Sequence, residues 1–280
     1  MSTPTTTISA ASVNELRKRT DLPLMECKKA LTETNGDIEK AIDWLRAQFG
    51  KAVTKRAGNE TAEGRVAVRI AGDAAVIVEL RCESAPSAKN ELFGKLADDV
   101  AAVVAEKNPA DLAALLEIPT VNTRLEETVG LIREKMIIHR FARLTGGIFG
   151  FYIHHDNMGG ALVQCTGTTK NDELLRDIAA HVTALNPAYY LSAEIPAEVV
   201  AKEKAFIASQ IQADPKNATK PANIIEKMLD GKLKTWMAET VLVEQPMANA
   251  AKYPGTTVGQ ALQKAGLTLT KVVRYKVGSA

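Results

Sequence analysis

The chain has 280 residues, so it can bury a sizeable hydrophobic core, and its length predicts two domains or one domain with subdomains. Lysine and arginine number 35 against 33 aspartate and glutamate residues, and the formal charge of +2 provides no large basic field for a nucleic-acid backbone. The three cysteines form no CxxC pair, which argues against a disulfide framework or closed zinc site and favours a reducing cytoplasm.

The N-terminal sequence MSTPTTTISAAS has no basic region followed by an apolar one, so it does not match a signal peptide. Its Ser/Thr-rich composition predicts disorder. Nowhere does the chain reach the roughly 18 consecutive apolar residues that a membrane-spanning helix needs. We therefore expect a soluble, cytoplasmic protein.

Residues 1–50 are predicted to form three short helices. The first begins after Ser12, a predicted N-cap, and the second carries apolar residues at Leu24, Met25, Ala30 and Leu31. Asn35 and Gly36 can turn the chain through positive φ, and Asp37 can cap a third helix with apolar residues at helical spacing. These features predict a compact three-helix domain over residues 1–50, followed by a polar linker over residues 51–64.

The segment 65–145 begins with alternating apolar residues on either side of a turn at AGD, which predicts a β-hairpin with one buried face. A helix with a stripe of apolar residues follows and is predicted to stop at Asn108 and Pro109. Two more helical patterns come after it. The longer one is predicted to place these residues on one side: Leu125, Val129, Ile132 and Met136.

The segment 146–280 repeats the order of a hairpin followed by a helix, with the second hairpin turning at DNMGG. Further helices are predicted from Pro196, from Pro221 and after GTT, a short strand at TVLVE and a closing strand at KVVRYKV. Hairpins and helices that do not alternate strictly indicate an α+β fold with antiparallel sheets. The repeat suggests two related subdomains, over residues 65–145 and 146–280.

The sequence CESAPSAKNE, residues 82–91, joins the first hairpin to its helix and contains a thiol, two hydroxyls and a proline. Ser84 or Ser87 can serve as the N-cap, and Pro86 is favourable in a first helical turn. No acid or base lies nearby in sequence to activate Cys82 or the serines as nucleophiles. The pattern therefore predicts a capped turn.

Histidine and cysteine residues provide the other candidates for chemistry. His154 and His155 are predicted to point to opposite faces of a strand, which disfavours a shared metal, and Cys165 lies on the partner strand. His139 and His181 fall in helical patterns, and Cys27 is predicted to pack beside apolar residues. No phosphate-binding motif is present, so we expect no bound nucleotide, metal or cofactor.

The order of several motifs resembles bacterial translation elongation factor Ts. The N-terminal LRKRTDLPLMECKKALTETNGDIEKAIDWLR resembles the ubiquitin-associated-type three-helix domain of that family, and the similarity continues through AGNETAEG, YIHHDNMGGALV, KPANIIEKMLDGKLK, EQPM, TVGQAL and RYKVG. These motifs cover nearly the whole chain in the family's order. A series of this kind is far more specific than any single motif.

The resemblance implies a guanine-nucleotide exchange factor that binds elongation factor Tu, in its GDP-bound and nucleotide-free forms, and carries out no covalent chemistry. It implies partner contacts at Leu24 and Met25 of the three-helix domain and at His154, which matches the histidine of the family's Y-x-H motif. It implies neither a cofactor nor direct nucleic-acid or membrane binding. The oligomeric state stays open.

The chain departs from the family pattern in the segment after the first hairpin. The family usually has T-D-F-V-A-K-N there, with the aspartate and phenylalanine reaching the partner and helping to dislodge its magnesium ion. This chain has Ser84, Ala85, Pro86 and Ser87 at the first four positions, followed by the retained AKN. The hydroxyl of the cap is kept, whereas the acidic group and the aromatic ring are absent.

Two alternatives to an exchange factor follow from the same residues. A paralogue that binds elongation factor Tu without stimulating GDP release would account for the altered segment. An enzyme that uses His154 and Cys165 with a metal ion, or Cys165 as a nucleophile, is the other class. Stimulated nucleotide release separates the first alternative from an exchange factor, and bound metal or thiol reactivity tests the second.

Overall fold

The computed structural model describes residues 8–20 and 22–279, and in that part the chain has the α+β fold that the sequence predicts. The disorder predicted for the Ser/Thr-rich start falls largely on residues 1–7, which lie outside the described residues. The chain divides into two compact units. The first contains the residues up to Arg65 with Leu80–Val103 and Lys107–Arg140, and the second contains the remainder.

Three helices begin the first unit: α1 (Ala10–Thr20), α2 (Leu24–Glu33) and α3 (Ile38–Arg56). The hydroxyl that caps α1 belongs to Ser9, whose Oγ accepts a hydrogen bond from the Ser12 amide at 3.0 Å. The predicted cap at Ser12 is wrong, because Ser12 already lies in the first helical turn. The helices share a hydrophobic core made of Val13, Leu16, Leu22, Cys27, Ala30, Leu31, Ala41, Leu45 and Phe49.

The connection from α2 to α3 has the predicted conformation. Asn35 and Gly36 adopt φ of 54° and 85°, and the Asp37 side chain accepts a hydrogen bond from the Lys40 amide at 3.1 Å. Helix α3 continues to Arg56, so the first six residues of the predicted linker, 51–64, are helical. The domain boundaries given above stay predictions.

A three-stranded sheet follows, with the strands β1 (Glu63–Ala71), β2 (Ala74–Cys82) and β3 (Met136–Thr145) in the order β1-β2-β3. Gly72 turns the hairpin between β1 and β2 with φ of 59°. The prediction of one buried face is wrong for β2, because every residue of that strand except Arg81 is buried. Successive side chains of a strand point to opposite faces, so burial of nearly all of them means that both faces of β2 are covered.

Between β2 and β3 the chain forms α4 (Ala85–Ala88), α5 (Glu91–Lys107), α6 (Leu112–Leu116) and α7 (Pro119–Ile132). Helix α5 ends before Asn108, as predicted. Helix α7 ends at Ile132 because Arg133 adopts a left-handed conformation with φ of 61°. Met136 and His139 therefore belong to β3, and their predicted helical positions are wrong.

Contact between α3 and α7 explains why α3 is longer than the sequence pattern indicates. A side chain on Gly130 of α7 would meet the Phe49 ring, because an ideal Cβ would lie 1.9 Å from Phe49 Cδ1. Glycine at this position therefore lets the two helices approach closely. Packing against α7 supports α3 where its own polar sequence does not predict a helix.

The second unit contains an antiparallel sheet of β4 (Ile148–Ile153), β5 (Gly159–Gly167) and β6 (Leu267–Lys276), with β5 in the centre. Helix α8 (Asp172–Leu185) packs on the sheet. The approach is close at Gly150, where an ideal Cβ would lie 2.3 Å from the Leu175 Cβ. This hairpin and helix confirm the predicted repeat of hairpin followed by helix.

The remaining helices are α9 (Ala197–Ala213), α10 (Ala222–Thr240) and α11 (Val258–Lys264). The predicted strand at TVLVE is wrong: Val241 forms one isolated bridge with Tyr189, and Leu242–Glu244 forms a 3₁₀ turn. Helix α10 contacts α9 but contains no buried residue among its nineteen. Gly231, near its middle, has no neighbouring atom within 4 Å of an added Cβ.

His181 of α8 is a buried histidine that is only 1% exposed. Its Nδ1 accepts a hydrogen bond from the Ala248 amide at 3.1 Å, so its Nε2 carries the proton and donates to Gln245 Oε1 at 2.7 Å. A neutral imidazole satisfies both bonds, whereas an imidazolium has no acceptor for the Ala248 amide. Burial accordingly lowers the pKa of His181 from its ordinary value of 6.5.

We expect the free energy of unfolding to decrease as the pH falls below about 6.5, because the unfolded chain then binds a proton that folded His181 does not. The single group contributes a slope of at most about 1.4 kcal/mol per pH unit. Urea unfolding at pH 5.5 and 7.5 measures it. The variant His181→Gln should show a shallower dependence, and the exposed His155→Gln should not; equal slopes for all three proteins would contradict this assignment.

Candidate docking turn and exposed apolar pair

The segment after β2 is a short capped helix preceded by an extended residue. Ser84 has φ of −131° and ψ of 153°, and its Oγ accepts a hydrogen bond from the Ser87 amide at 3.4 Å, so it caps α4 as predicted. Pro86 lies in the first turn. The side chains of Ala85 and Pro86 are exposed, whereas Ser87 is buried. We call residues 84–88 the docking turn, as a candidate for partner contact.

Glu134 contacts the docking turn through both of its carboxylate oxygens. Oε1 accepts a hydrogen bond from Ser84 Oγ at 2.6 Å, and Oε2 accepts one from the Ser84 amide at 3.1 Å. Fifty residues separate the two in sequence, so no local motif could reveal the pair. The expectation that no acid lies near Ser84 in sequence overlooks the adjacent Glu83, and the fold brings Glu134 to Ser84 as well.

Glu83 makes the complementary set of contacts. Its carboxylate accepts hydrogen bonds from the Lys135 amide, from Asn59 Nδ2 at 2.9 Å and from Arg56 Nη1 at 3.3 Å. These donors, the Lys135 amide first, lower the pKa of Glu83 below its ordinary range. Lys135 Nζ in turn donates to the carbonyl oxygens of Ala57 and Asn59, each at 2.7 Å.

The chemistry around Ser84 positions the backbone and does not prepare a nucleophile. The Ser84 hydroxyl donates its proton to a carboxylate and accepts from a backbone amide, so its hydrogen-bonding capacity is used locally. Cys82 is buried, and burial together with the nearby charge of Glu134 raises the pKa of its thiol to about 12. A thiol with such a pKa is almost entirely protonated at neutral pH and reacts slowly.

The other two cysteines are also buried. Burial raises the pKa of Cys165 to about 11 and also raises that of Cys27, which packs in the core of the three helices as predicted. Cys165 pairs with Ile148 at one end of the β4–β5 hairpin, whereas His154 follows Ile153 at the other end. The structure therefore does not bring His154 and Cys165 together.

We expect a thiol-specific chromogenic disulfide at pH 8 to modify none of Cys27, Cys82 and Cys165 rapidly in the native protein, because all three side chains are inaccessible. After denaturation the same reagent should titrate three thiols. The absorbance time course measures both. A single fast-reacting thiol in the native state would contradict the prediction and would reopen the cysteine-enzyme alternative.

Leu24 and Met25 begin α2 and are exposed, with 46% and 67% of their surfaces accessible. They belong to the apolar pattern of this helix but lie outside the core of the three helices. The residues of α2 that face the core are Cys27, Ala30 and Leu31. Both side chains of the exposed pair are therefore accessible for contact with a partner.

His154 lies just beyond β4, in the turn of the second hairpin. Its amide donates to the Gly159 carbonyl at 2.8 Å, its Nδ1 lies 3.3 Å from Tyr152 Oη, and its ring centroid lies 4.2 Å from that of His155. The expectation that the two histidines point to opposite faces of a strand is wrong, because β4 ends at Ile153. Within the described residues, no three His, Cys, Asp or Glu side chains are grouped so as to hold a metal ion.

The chain is thus an α+β protein whose candidate site consists of a capped turn and exposed apolar side chains. Over residues 8–20 and 22–279, no helix is long and apolar enough to cross a membrane. A family model described as elongation factor TS matches residues 87–279.

Similarity to known elongation factors Ts extends over nearly the whole chain. The chain is 41% identical to elongation factor Ts of Thioalkalivibrio sulfidiphilus, and the alignment covers 97% of the chain and 92% of the relative. It is 40% identical to the same factor of Hahella chejuensis and of Methylococcus capsulatus, with the same coverage of both chains. The protein belongs to the elongation factor Ts family, and thus to the elongation factors of protein biosynthesis.

Proposed function

We propose that the protein is a guanine-nucleotide exchange factor for elongation factor Tu. It binds the GDP-loaded form, promotes GDP release and stabilises the nucleotide-free form until GTP binds. The observation that supports this function is the similarity to elongation factors Ts over 97% of the chain. Exchange needs neither a nucleophile nor a cofactor in the factor, which agrees with the buried, protonated thiols.

The physical basis of exchange is differential binding. A factor that binds nucleotide-free elongation factor Tu more tightly than the GDP-loaded form must weaken GDP binding by the same ratio, because the two equilibria are linked. A ten-thousandfold weakening requires a difference of about 5.5 kcal/mol between the two binding free energies. The contacts that matter are therefore those which the nucleotide-free partner forms and the GDP-loaded partner cannot form.

Three features of the surface are proposed to make these contacts. Leu24 and Met25 contact the GTPase domain, the docking turn approaches the site of its phosphate and magnesium ion, and His154 contacts another domain of the partner. Ala85 and Pro86 provide neither a carboxylate nor an aromatic ring at the docking turn. A larger share of the nucleotide destabilisation is therefore assigned to the apolar pair and to His154.

Dissociation of fluorescent mantGDP from the cognate elongation factor Tu tests the proposal. We expect the dissociation rate to rise with the concentration of this protein and to saturate. An unchanged rate together with measurable binding to nucleotide-free elongation factor Tu would favour the paralogue that binds without stimulating release. The altered docking turn is the observation behind that second function.

A further inference from the structure

We infer that Glu134 is a positioning residue for the docking turn: its carboxylate fixes Ser84 and thereby sets the orientation in which Ala85 and Pro86 are presented to the partner. The inference rests on the proposed exchange function and adds to it a residue outside the motifs described above. Glu134 itself is not proposed to touch the partner.

The contact has the geometry of a two-point anchor. One carboxylate oxygen accepts from the side chain of Ser84 and the other from its backbone, at 2.6 and 3.1 Å. Hydrogen bonds to an ionised carboxylate are shorter and about twice as strong as those between neutral groups. Fixing the hydroxyl and the amide of one residue defines both its rotamer and its peptide plane.

The anchor is reciprocal, which distinguishes it from an isolated surface contact. Glu134 accepts from the Ser84 amide, while Glu83, the neighbour of Ser84, accepts from the amide of Lys135, the neighbour of Glu134. In each of two adjacent residue pairs, a backbone amide thus donates a hydrogen bond to a carboxylate of the other segment. We call these four residues the carboxylate clamp; it joins the end of β2 to the start of β3.

The position of Glu134 depends on how α7 ends. Arg133 has φ of 61°, and its amide donates to the Val129 carbonyl at 2.8 Å, so the helix closes one residue before Glu134. A left-handed conformation costs a residue with a side chain about 1–2 kcal/mol. Arg133 turns the chain away from the axis of α7. The hydrogen bonds of the next two residues, Glu134 and Lys135, hold the chain in this new direction.

The docking turn needs such an anchor because it cannot order itself. Helix α4 has four residues, far fewer than the roughly 12 needed for even marginal helix formation in isolation. Ser87 is buried on its inner side, and Ser84 fixes its beginning. The exposed Ala85 and Pro86 lie between these two fixed residues, so the clamp sets their orientation.

The test compares Glu134→Ala and Glu134→Gln with Glu126→Ala. Glu126 is a matched control because it lies on α7 and accepts a hydrogen bond from Asn122 of the same helix. Amide hydrogen exchange of residues 83–90 reports the order of the turn, the maximal rate of stimulated mantGDP release reports function, and urea unfolding reports global stability. Ser84→Ala, which removes only the hydroxyl, serves as a second variant should Glu134→Ala not fold.

We expect Glu134→Ala to speed amide exchange in the turn and to lower the maximal release rate, each by about tenfold, since it removes hydrogen bonds to a charged group. Glu134→Gln keeps the length and one acceptor, so it should lie between Glu134→Ala and wild type. Glu126→Ala should match wild type. Adding Glu134→Ala to Ser84→Ala should cost less than the two single effects combined, since both break one contact.

Unchanged amide exchange in Glu134→Ala would overturn the inference, because the turn would then be ordered without the clamp. Faster exchange with a release rate equal to that of Glu126→Ala would overturn it as well. If wild type itself fails to accelerate release, the exchange function is what fails. The positioning role of Glu134 is then tested by the affinity for nucleotide-free elongation factor Tu. Weaker binding by Glu134→Ala than by wild type supports this role, and equal binding overturns it.

Discussion

Replacing Ala85 by Asp and Pro86 by Phe is expected to raise the maximal rate of stimulated GDP release about tenfold, equivalent to about 1.4 kcal/mol. Both side chains are exposed, so the new groups project outward without disturbing a core. Ala85 is the first residue of α4, where a carboxylate is favoured by the free amides of the helix start. In the family pattern, an aspartate and a phenylalanine at these positions reach the partner and help to dislodge magnesium.

The control for this gain is Ala85→Asn with Pro86→Leu, which adds side chains of similar size without the charge or the ring. We expect the control to release GDP at the wild-type rate. Stopped-flow mantGDP dissociation at saturating concentrations compares the three proteins. No acceleration by the Asp-Phe variant, with Ser84 still anchored to Glu134, would show that the docking turn lies elsewhere in the complex than proposed.

Replacing Met25 and His154 by alanine is expected to reduce stimulated GDP release by more than tenfold at a fixed, subsaturating concentration. Among the described residues, Met25 is the most exposed of the large apolar side chains, at 67%, and truncating a residue that dominates an interface costs about 2 kcal/mol or more. Because its side chain contributes little to the core of the three helices, its loss should affect binding and not folding. His154 tests a contact in the second unit.

The single variants Met25→Ala and His154→Ala show how much of the reduction in stimulated GDP release comes from each unit. Phe206→Ala is a matched control for Met25→Ala, since it removes another large exposed apolar side chain, 57% accessible, from a surface with no proposed role. A release rate unchanged in the double variant would contradict the assignment of nucleotide destabilisation to these residues. A loss from Phe206→Ala of equal size would show that the effect is not specific to the proposed contacts.

Most of the fold follows from patterns that the sequence displays directly. Caps at Ser84 and Asp37, the stop at Asn108 and the two hairpins all depend on residues within a few positions of one another. The start of β3 could not be predicted in this way. The apolar spacing continues from α7 to Met136, and the break arises from Arg133, a residue type that gives no sign of a positive φ.

The candidate site likewise has parts that the sequence predicts and parts that it does not. The exposure of Met25 could not be read from the sequence, because its helix offers more apolar positions than the small core can cover. The contact between Glu134 and Ser84 could not be predicted, because the two residues are fifty positions apart and no local sequence pattern links them. This contact depends on the sheet that brings the end of β2 close to the start of β3. How strands pair in a sheet is determined by the whole chain and not by a local pattern.

The sparse packing of α10 has a consequence for the stability of the second unit. With no buried side chain and a central glycine that costs about 1 kcal/mol relative to alanine, this helix gains little free energy from its surroundings. Segments of that kind unfold locally while the rest of a protein stays native. Among the helices described, a protease that needs an unfolded peptide should therefore cut first within α10, and Gly231→Ala should slow that cleavage.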